Sequence, residues 1–243
     1  MHGAGKPLVV ACIPAFNEEE RIAGVIGRAR RYVDTVIVCD DGSSDATGKL
    51  AESLGAEVIR HEVNRGYGAA LASLFRRAEE LGADVMVILD ADGQHDPDEI
   101  PKLVGPVLRG EADLVVGSRF LADGGRAIPW LRRLGIRMIT IMCKLLAYRS
   151  LTDAQCGFRA YSKRAIKLVR PTERGMGAST EILLKARAHR LKLIEVPVRT
   201  IYDEKTPREN ILLHGLSVVA STLKHALVER LWFKGAGSKL RGG

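Results

Sequence analysis

LVVACIPAFNE (residues 8–18) and TVIVCDDGSSD (residues 35–45), separated by the helical stretch 19–31, decide how this chain folds. Each opens as an unbroken apolar run and breaks into a polar turn. A run that is apolar at every position, rather than at alternate positions, suits a strand covered on both faces. Two such strands joined by a helix make a crossover unit, and crossover units build parallel sheets.

The same alternation continues outward. A helix is expected over 44–54, a strand over 57–60, a helix over 67–81, a strand over 85–90, a helix over 97–109 and a strand over 114–116. The pattern then loosens into a helix over 127–148, strands at 157–161 and 193–198, a helix over 179–189 and a long amphipathic helix over 209–233. The expected fold class is α/β, a Rossmann-like, mostly parallel sheet flanked by helices, with a C-terminal amphipathic helix. No linker divides the 243 residues, so one domain is expected.

Composition narrows the partners. The net charge of +8 favours an anionic one, a phosphate ester, nucleic acid or an acidic membrane face, without choosing among them; the motifs that follow are the reason no nucleic-acid partner is expected. Cys12, Cys39, Cys143 and Cys156 form no C-x-x-C pair, so zinc spacing is absent. Reduced core cysteines in a cytoplasmic protein are expected. Residues 1–6 lack an apolar signal core, and no apolar stretch reaches the roughly 18 residues that span a membrane.

In open α/β sheets, ligands bind outside the carboxyl ends of the strands. Here those ends read Pro14-Ala15-Phe16-Asn17-Glu18, Asp40-Asp41-Gly42-Ser43-Ser44-Asp45, Asn64-Arg65-Gly66, Asp90-Ala91-Asp92-Gly93-Gln94 and Gly117-Ser118-Arg119. So many carboxylates on one edge call for a cation among them. Oxygen ligands favour Mg²⁺ or Mn²⁺. In extended backbone Asp90, Asp92 and Gln94 point the same way, and a metal held there would bridge the phosphates of a nucleotide diphosphate. A lone D-x-D is commonly only a solvated turn, and Asp96-Pro97 reads as a plain helix start. The weight lies in five strand ends occurring in this order.

The order PAFNE, DDGSSD, NRGYG, DADGQ and GSR resembles the family 2 glycosyltransferases of the GT-A fold. Downstream, TDAQCGFRAY (residues 152–161) is similar to the dolichyl-phosphate mannose and glucose synthases. The resemblance implies inverting, metal-dependent transfer of a hexose from a nucleotide-diphosphate sugar to a polyprenyl phosphate. It implies donor contacts at Pro14, Ala15, Phe16, Asn17, Glu18, Asp41, Gly66, Asp90 and Ala91, and a metal on Asp90, Asp92 and Gln94. It places Asp92 and Arg119 in catalysis, and Arg119, Arg133, Arg137 and Lys205 at the acceptor, with Arg132 as an alternative. It also divides the chain into a donor half (1–120), an acceptor half (121–208) and the helix with its tail (209–243). Tyr67 stands where the family pattern N-x-G-K-G has lysine, and Glu204-Lys205-Thr206 departs from the family's late S-K pair.

An ionised phosphate acceptor needs cations rather than a base, whereas a hydroxyl acceptor needs a base. Arg126, Arg132, Arg133 and Arg137 follow Arg119 closely. If a base is required, Asp153 and Glu181 are the candidates. His95 and His214 read as solvated. Leu212, Leu216, Val219, Leu223, Leu227 and Leu231 give the last helix one apolar face, suited to packing on the domain or to peripheral contact with the cytoplasmic membrane face. The rival readings are a hydroxyl-acceptor family 2 transferase, a nucleotidyltransferase and a non-catalytic nucleotide-sugar sensor.

Overall fold

The computed structural model describes residues 5–201, apart from 124 and 127. The expected helix at 209–233 and Lys205 lie outside the described residues.

Seven strands form one sheet: β1 (Val9–Ala15), β2 (Thr35–Asp40), β3 (Glu57–Arg60), β4 (Val85–Ile88), β5 (Leu114–Ser118), β6 (Arg159–Ser162) and β7 (Leu193–Pro197). Their order is β3-β2-β1-β4-β6-β5-β7. All neighbours are parallel except β6, which runs antiparallel to both β4 and β5. Residues of β1, β2, β4 and β5 are almost entirely buried, as their unbroken apolar runs require.

Two apolar layers cover the sheet. On one face Leu71, Leu74 and Phe75 of α3 (Tyr67–Glu80) pack with Ile182 and Leu183 of α8 (Ala178–Ala188). On the other, Ile22 and Ile26 of α1 (Ile22–Ala29) pack with Ala51 of α2 (Thr47–Ser53) and Leu103 of α4 (Ile100–Leu108). The remaining helices are α5 (Arg119–Asp123), α6 (Trp130–Leu146) and α7 (Lys163–Leu168).

Several expected boundaries shift for local reasons. Helix α1 starts at Ile22 rather than 19, because the Glu18 N–H donates to Thr47 Oγ1 (2.7 Å) and the Glu19 N–H to Asp45 (3.2 Å). A turn of 3₁₀ helix, Pro97–Glu99, precedes α4, with Asp96 accepting from the Asp98 N–H as its cap. Helices α5 and α7 are too short to show a period in sequence. Helix α7 is nevertheless capped by Ser162, whose hydroxyl accepts from the Ala165 N–H.

Candidate active site

The strand order reverses between β1 and β4: β2 and β3 extend one way from β1, and β4 lies on its other side. The carboxyl ends of β1 and β4 therefore flank the crevice where open α/β sheets bind ligands. Pairing of Ala15 with Asp40 sets the residues after β1 beside those after β2. Antiparallel β6 adds what a parallel strand could not. Its first residue, Arg159, pairs with Ile88 and Val116, so residues 152–158 reach the same edge, between Asp90 and Arg119.

The first two loops pin each other. The Asn17 N–H donates to Ser43 Oγ (2.9 Å), and Asn17 Oδ1 accepts from the Ser44 N–H (2.9 Å). Asn17 is held at φ 55°, a left-handed conformation that asparagine tolerates. Phe16, beside it, stays 45 % exposed, an aromatic face open to solvent at the crevice. Pro14 and Ala15 lie within β1 and are buried.

Asp41 turns inward. Its carboxylate accepts the Arg65 N–H (3.0 Å) and the Gly66 N–H (2.8 Å) and meets His61. The protein itself engages this group, where direct contact with a base or ribose was expected. Its effect is to fix Gly66, whose φ of 96° and approach to the Arg174 carbonyl leave no room for a side chain. Asp45 accepts from the Thr47 N–H and hydroxyl at the start of α2, although the N-cap position itself is Ala46, so it braces the helix start from one residue before the cap.

Asp90 and Asp92 project from the loop after β4. Asp92 accepts from the Gln94 N–H (2.9 Å) and from Gln94 Nε2 (2.6 Å), so the carboxylate and the amide are held together in one turn. Half-buried Glu18 has its carboxyl pushed above the usual range, first by burial and then by the negative charge of Asp92. The donor set is hard oxygen throughout. Among the described residues no three His, Cys, Asp or Glu side chains form a closed cage. Two carboxylates and an amide oxygen suit Mg²⁺ or Mn²⁺, which keep positions for phosphate oxygens and water.

His95 corrects the sequence expectation of a solvated loop histidine. It is buried and stacks on Phe158 with ring centroids 5.1 Å apart. Its Nδ1 accepts from the Asp90 N–H (3.1 Å). Burial is the main force pushing its pKa down to about 4, so the ring is neutral and braces the acidic loop. Tyr67 Oη donates to Asp90 Oδ1 at 3.4 Å, filling with a neutral donor the place where the family pattern has lysine. Gly157 closes the cradle, since a Cβ there would lie 2.9 Å from Asp90 Oδ2 and 3.1 Å from Tyr67 Oη. Neither His95 nor Gly157 stands out in sequence, because what marks them is burial against residues 60 or more positions away.

Beyond the end of β5, Arg119 and Asp153 form a buried two-point ion pair, Nε to Oδ2 at 2.6 Å and Nη2 to Oδ1 at 2.8 Å. Burial raises the Asp153 carboxyl, but the charge and hydrogen bonds of Arg119 outweigh it and hold the group below the usual range. Asp153 is thus the counter-ion of Arg119, which weighs against it as the base that a hydroxyl acceptor would require. Glu181 is equally committed: it is buried, accepts from the Thr172 and Glu173 N–H groups, and pairs with Lys185. Arg137 of α6 lies over the Phe120 ring, 5.7 Å from its centroid and next in sequence to Arg119. Arg133 lies one turn earlier, half-exposed, and Arg126 is exposed. The Arg132 side chain lies outside the described residues.

All four cysteines are buried and unpaired, and burial pushes the Cys156 thiol up to about 12 and the Cys143 thiol to about 11. None is a nucleophile at neutral pH.

Comparison with known proteins agrees with this geometry. The family model described as glycosyl transferase family 2 matches residues 10–169. The UDP-N-acetylglucosamine–dolichyl-phosphate N-acetylglucosaminyltransferase of Methanococcus voltae is 35% identical over 218 residues, covering 81% of this chain and 87% of its own. The undecaprenyl-phosphate mannosyltransferase of Micrococcus luteus is 33% identical over 208 residues, covering 81% and 84%. Among solved structures, glucosyl-3-phosphoglycerate synthase from Mycobacterium tuberculosis superposes with a TM-score of 0.74 at 26% identity, covering 90% of this chain and 80% of that one. The same enzyme has been solved with Mn²⁺, UDP and glucosyl-3-phosphoglycerate. With the paired loops, the acidic motif after β4 and a family match through to residue 169, the chain belongs to the family 2 glycosyltransferases.

Proposed function

We propose that this glycosyltransferase moves a hexose from a nucleotide-diphosphate sugar to a polyprenyl phosphate with inversion, at a membrane surface it contacts peripherally on the cytoplasmic face. The observation that carries the acceptor is the state of the two candidate bases. Asp153 and Glu181 are both buried and saturated with hydrogen bonds, so neither can take a proton from a hydroxyl. An acceptor already ionised at neutral pH needs none.

Residues 1–120 serve the donor and 121–208 the acceptor in this reading. Phe16 lies along the base, with Pro14, Ala15, Asn17 and Glu18 shaping the pocket for base and ribose. Gly66 and Ala91 bring backbone close to the diphosphate. Asp90, Asp92 and Gln94 would hold Mg²⁺ or Mn²⁺, which when bound neutralises charge developing on the departing diphosphate. His95 and Tyr67 keep the acidic loop in place. Arg119, fixed by Asp153, orients the acceptor phosphate together with Arg133, Arg137 and Lys205.

An acceptor phosphate oxygen attacks the anomeric carbon as the bond from that carbon to the diphosphate oxygen breaks. The electron pair leaves with the nucleoside diphosphate, and the product is a polyprenyl-phosphate hexose. The test is a panel of donors. The protein is incubated with UDP-glucose, UDP-N-acetylglucosamine or GDP-mannose, Mg²⁺ or Mn²⁺, and a polyprenyl phosphate in detergent. Glycolipid from one donor is expected. No glycolipid from any donor sinks the proposal.

A further inference from the structure

Helix α6 is apolar on two sides, and among the described residues only one of them is buried against the domain. Ile136, Ile139 and Cys143 are buried in the domain. Trp130, Leu131, Leu134, Met138, Ile141 and Leu145 are instead exposed, from 39% at Leu131 to 81% at Leu145. At about 100° per residue these six fall within one arc roughly 100° wide, running about 22 Å along the helix. Exposed apolar residues are ordinary when scattered; a continuous stripe of this size marks a contact surface.

The flank of the stripe says what it contacts. Arg133, Arg137 and Lys144 occupy a narrow row on the same helix, directly beside the apolar arc and opposite in sign to an anionic surface. An apolar arc bordered by Arg and Lys, with Trp at one end, is the pattern of a helix lying in a lipid interface. A protein partner would need only the apolar face, and the cationic row matches phospholipid headgroups. The stripe also adjoins the acceptor side, since Arg137 lies over Phe120, next to Arg119.

We propose that the outer face of α6 is a membrane-docking surface for anionic phospholipid bilayers. It seats the helix at headgroup depth so that the arginine row meets lipid phosphates. Its placement beside the acceptor edge rests on the polyprenyl-phosphate reading above, but docking itself is measured without any sugar transfer.

The test uses the full chain carrying Trp232→Phe, which leaves Trp130 as the single tryptophan. It is mixed with vesicles of phosphatidylcholine alone or with about one-third phosphatidylglycerol. Binding to the anionic vesicles is expected, weakened by salt, with a blue shift of Trp130 emission and quenching by brominated lipid. The Leu134→Glu/Ile141→Glu pair should lower the partition coefficient about ten-fold or more. Both positions are exposed, and an unchanged melting temperature would verify the fold. The comparison variant is Leu223→Glu/Leu227→Glu in the C-terminal segment. Loss of vesicle binding in that variant alone, with the α6 pair binding normally, overturns the proposal. So does a Trp130 that brominated lipid fails to quench, or a concentration-dependent dimer that the α6 pair dissociates while no vesicle binds. If vesicles bind but no glycolipid forms in detergent, the acceptor reading fails and the docking surface stands. The reverse result leaves the enzyme reading and removes the surface.

Discussion

Asparagine at position 153 separates a buried counter-ion from a catalytic base. Asp153 is 0% exposed and Arg119 7%. Two charge-assisted hydrogen bonds, at 2.6 and 2.8 Å, join them. Asp153→Asn removes the negative charge and sets an amide NH₂ against a guanidinium that only donates. Breaking one side of a buried ion pair leaves the other charge uncompensated and costs about 3–5 kcal/mol. In a domain of this size each kcal/mol lowers the melting temperature by about 2–4 °C, so a fall of about 6–20 °C is expected by calorimetry or circular dichroism. Replacing both partners by apolar residues, Arg119→Met with Asp153→Leu, should cost less stability than the single change. The pH dependence follows from the depressed carboxyl. Its stabilisation is complete above the ordinary aspartate pKa of about 3.9 and is lost as pH falls further, through the folded-state value below it. The parent should therefore lose stability steeply below about pH 4, and the asparagine variant less so. The counter-ion role is refuted if Asp153→Asn melts within about 2 °C of the parent while kcat collapses and the acid limb of the pH–rate profile disappears. That pair of results would restore the base.

Gly157→Ala places a methyl group against Asp90 and Tyr67 and should lower kcat/KM by about ten- to a hundred-fold, with a melting curve close to the parent's. Chelation by EDTA should abolish turnover, and added Mn²⁺ or Mg²⁺ should restore it; full activity in metal-free buffer would count against the cation at Asp90, Asp92 and Gln94. His95→Ala removes the Nδ1 acceptor of the half-buried Asp90 N–H and the stack on Phe158, costing about 1–3 kcal/mol by urea unfolding, and His95→Asn should recover part of this by supplying an acceptor near Nδ1.

The strands from β1 to β5 were readable because their signals are local. Most are apolar runs ending in a polar turn, and the helices between them imply parallel crossovers, while the order of the strands in the sheet needed the structure. Direction was not readable at Arg159–Ser162: four residues carry no mark of running parallel or antiparallel, and only their pairing with Ile88 and Val116 decides it. That one reversal brings residues 152–158 to the site. The burial of His95 carries no sequence mark for a similar reason, since it depends on Phe158, which the reversed strand delivers. Asp41 and Asp153 were recognisable as acidic residues at strand edges, but a carboxylate's role depends on its partners. Those partners, Arg65, Gly66 and Arg119, lie 24 to 34 positions away in sequence.

These reassignments bear jointly on the acceptor. With Asp153 and Glu181 sealed in the protein, the chemistry asked of the second substrate is a nucleophile that arrives ionised. A small water-borne phosphate ester meets that demand as well as a lipid does, so the site alone does not call for a membrane. The outer face of α6 supplies the missing distinction. A soluble acceptor gives no reason to keep Trp130, Leu134, Met138, Ile141 and Leu145 in contact with water beside a row of cations, at a standing risk of aggregation. A phosphate carried on a polyprenyl chain does, because it lies at headgroup depth and must be met there. The sealed carboxylates and the exposed apolar face of α6 are thus separate observations, and the proposed acceptor, a phosphate anchored in a membrane, accounts for both.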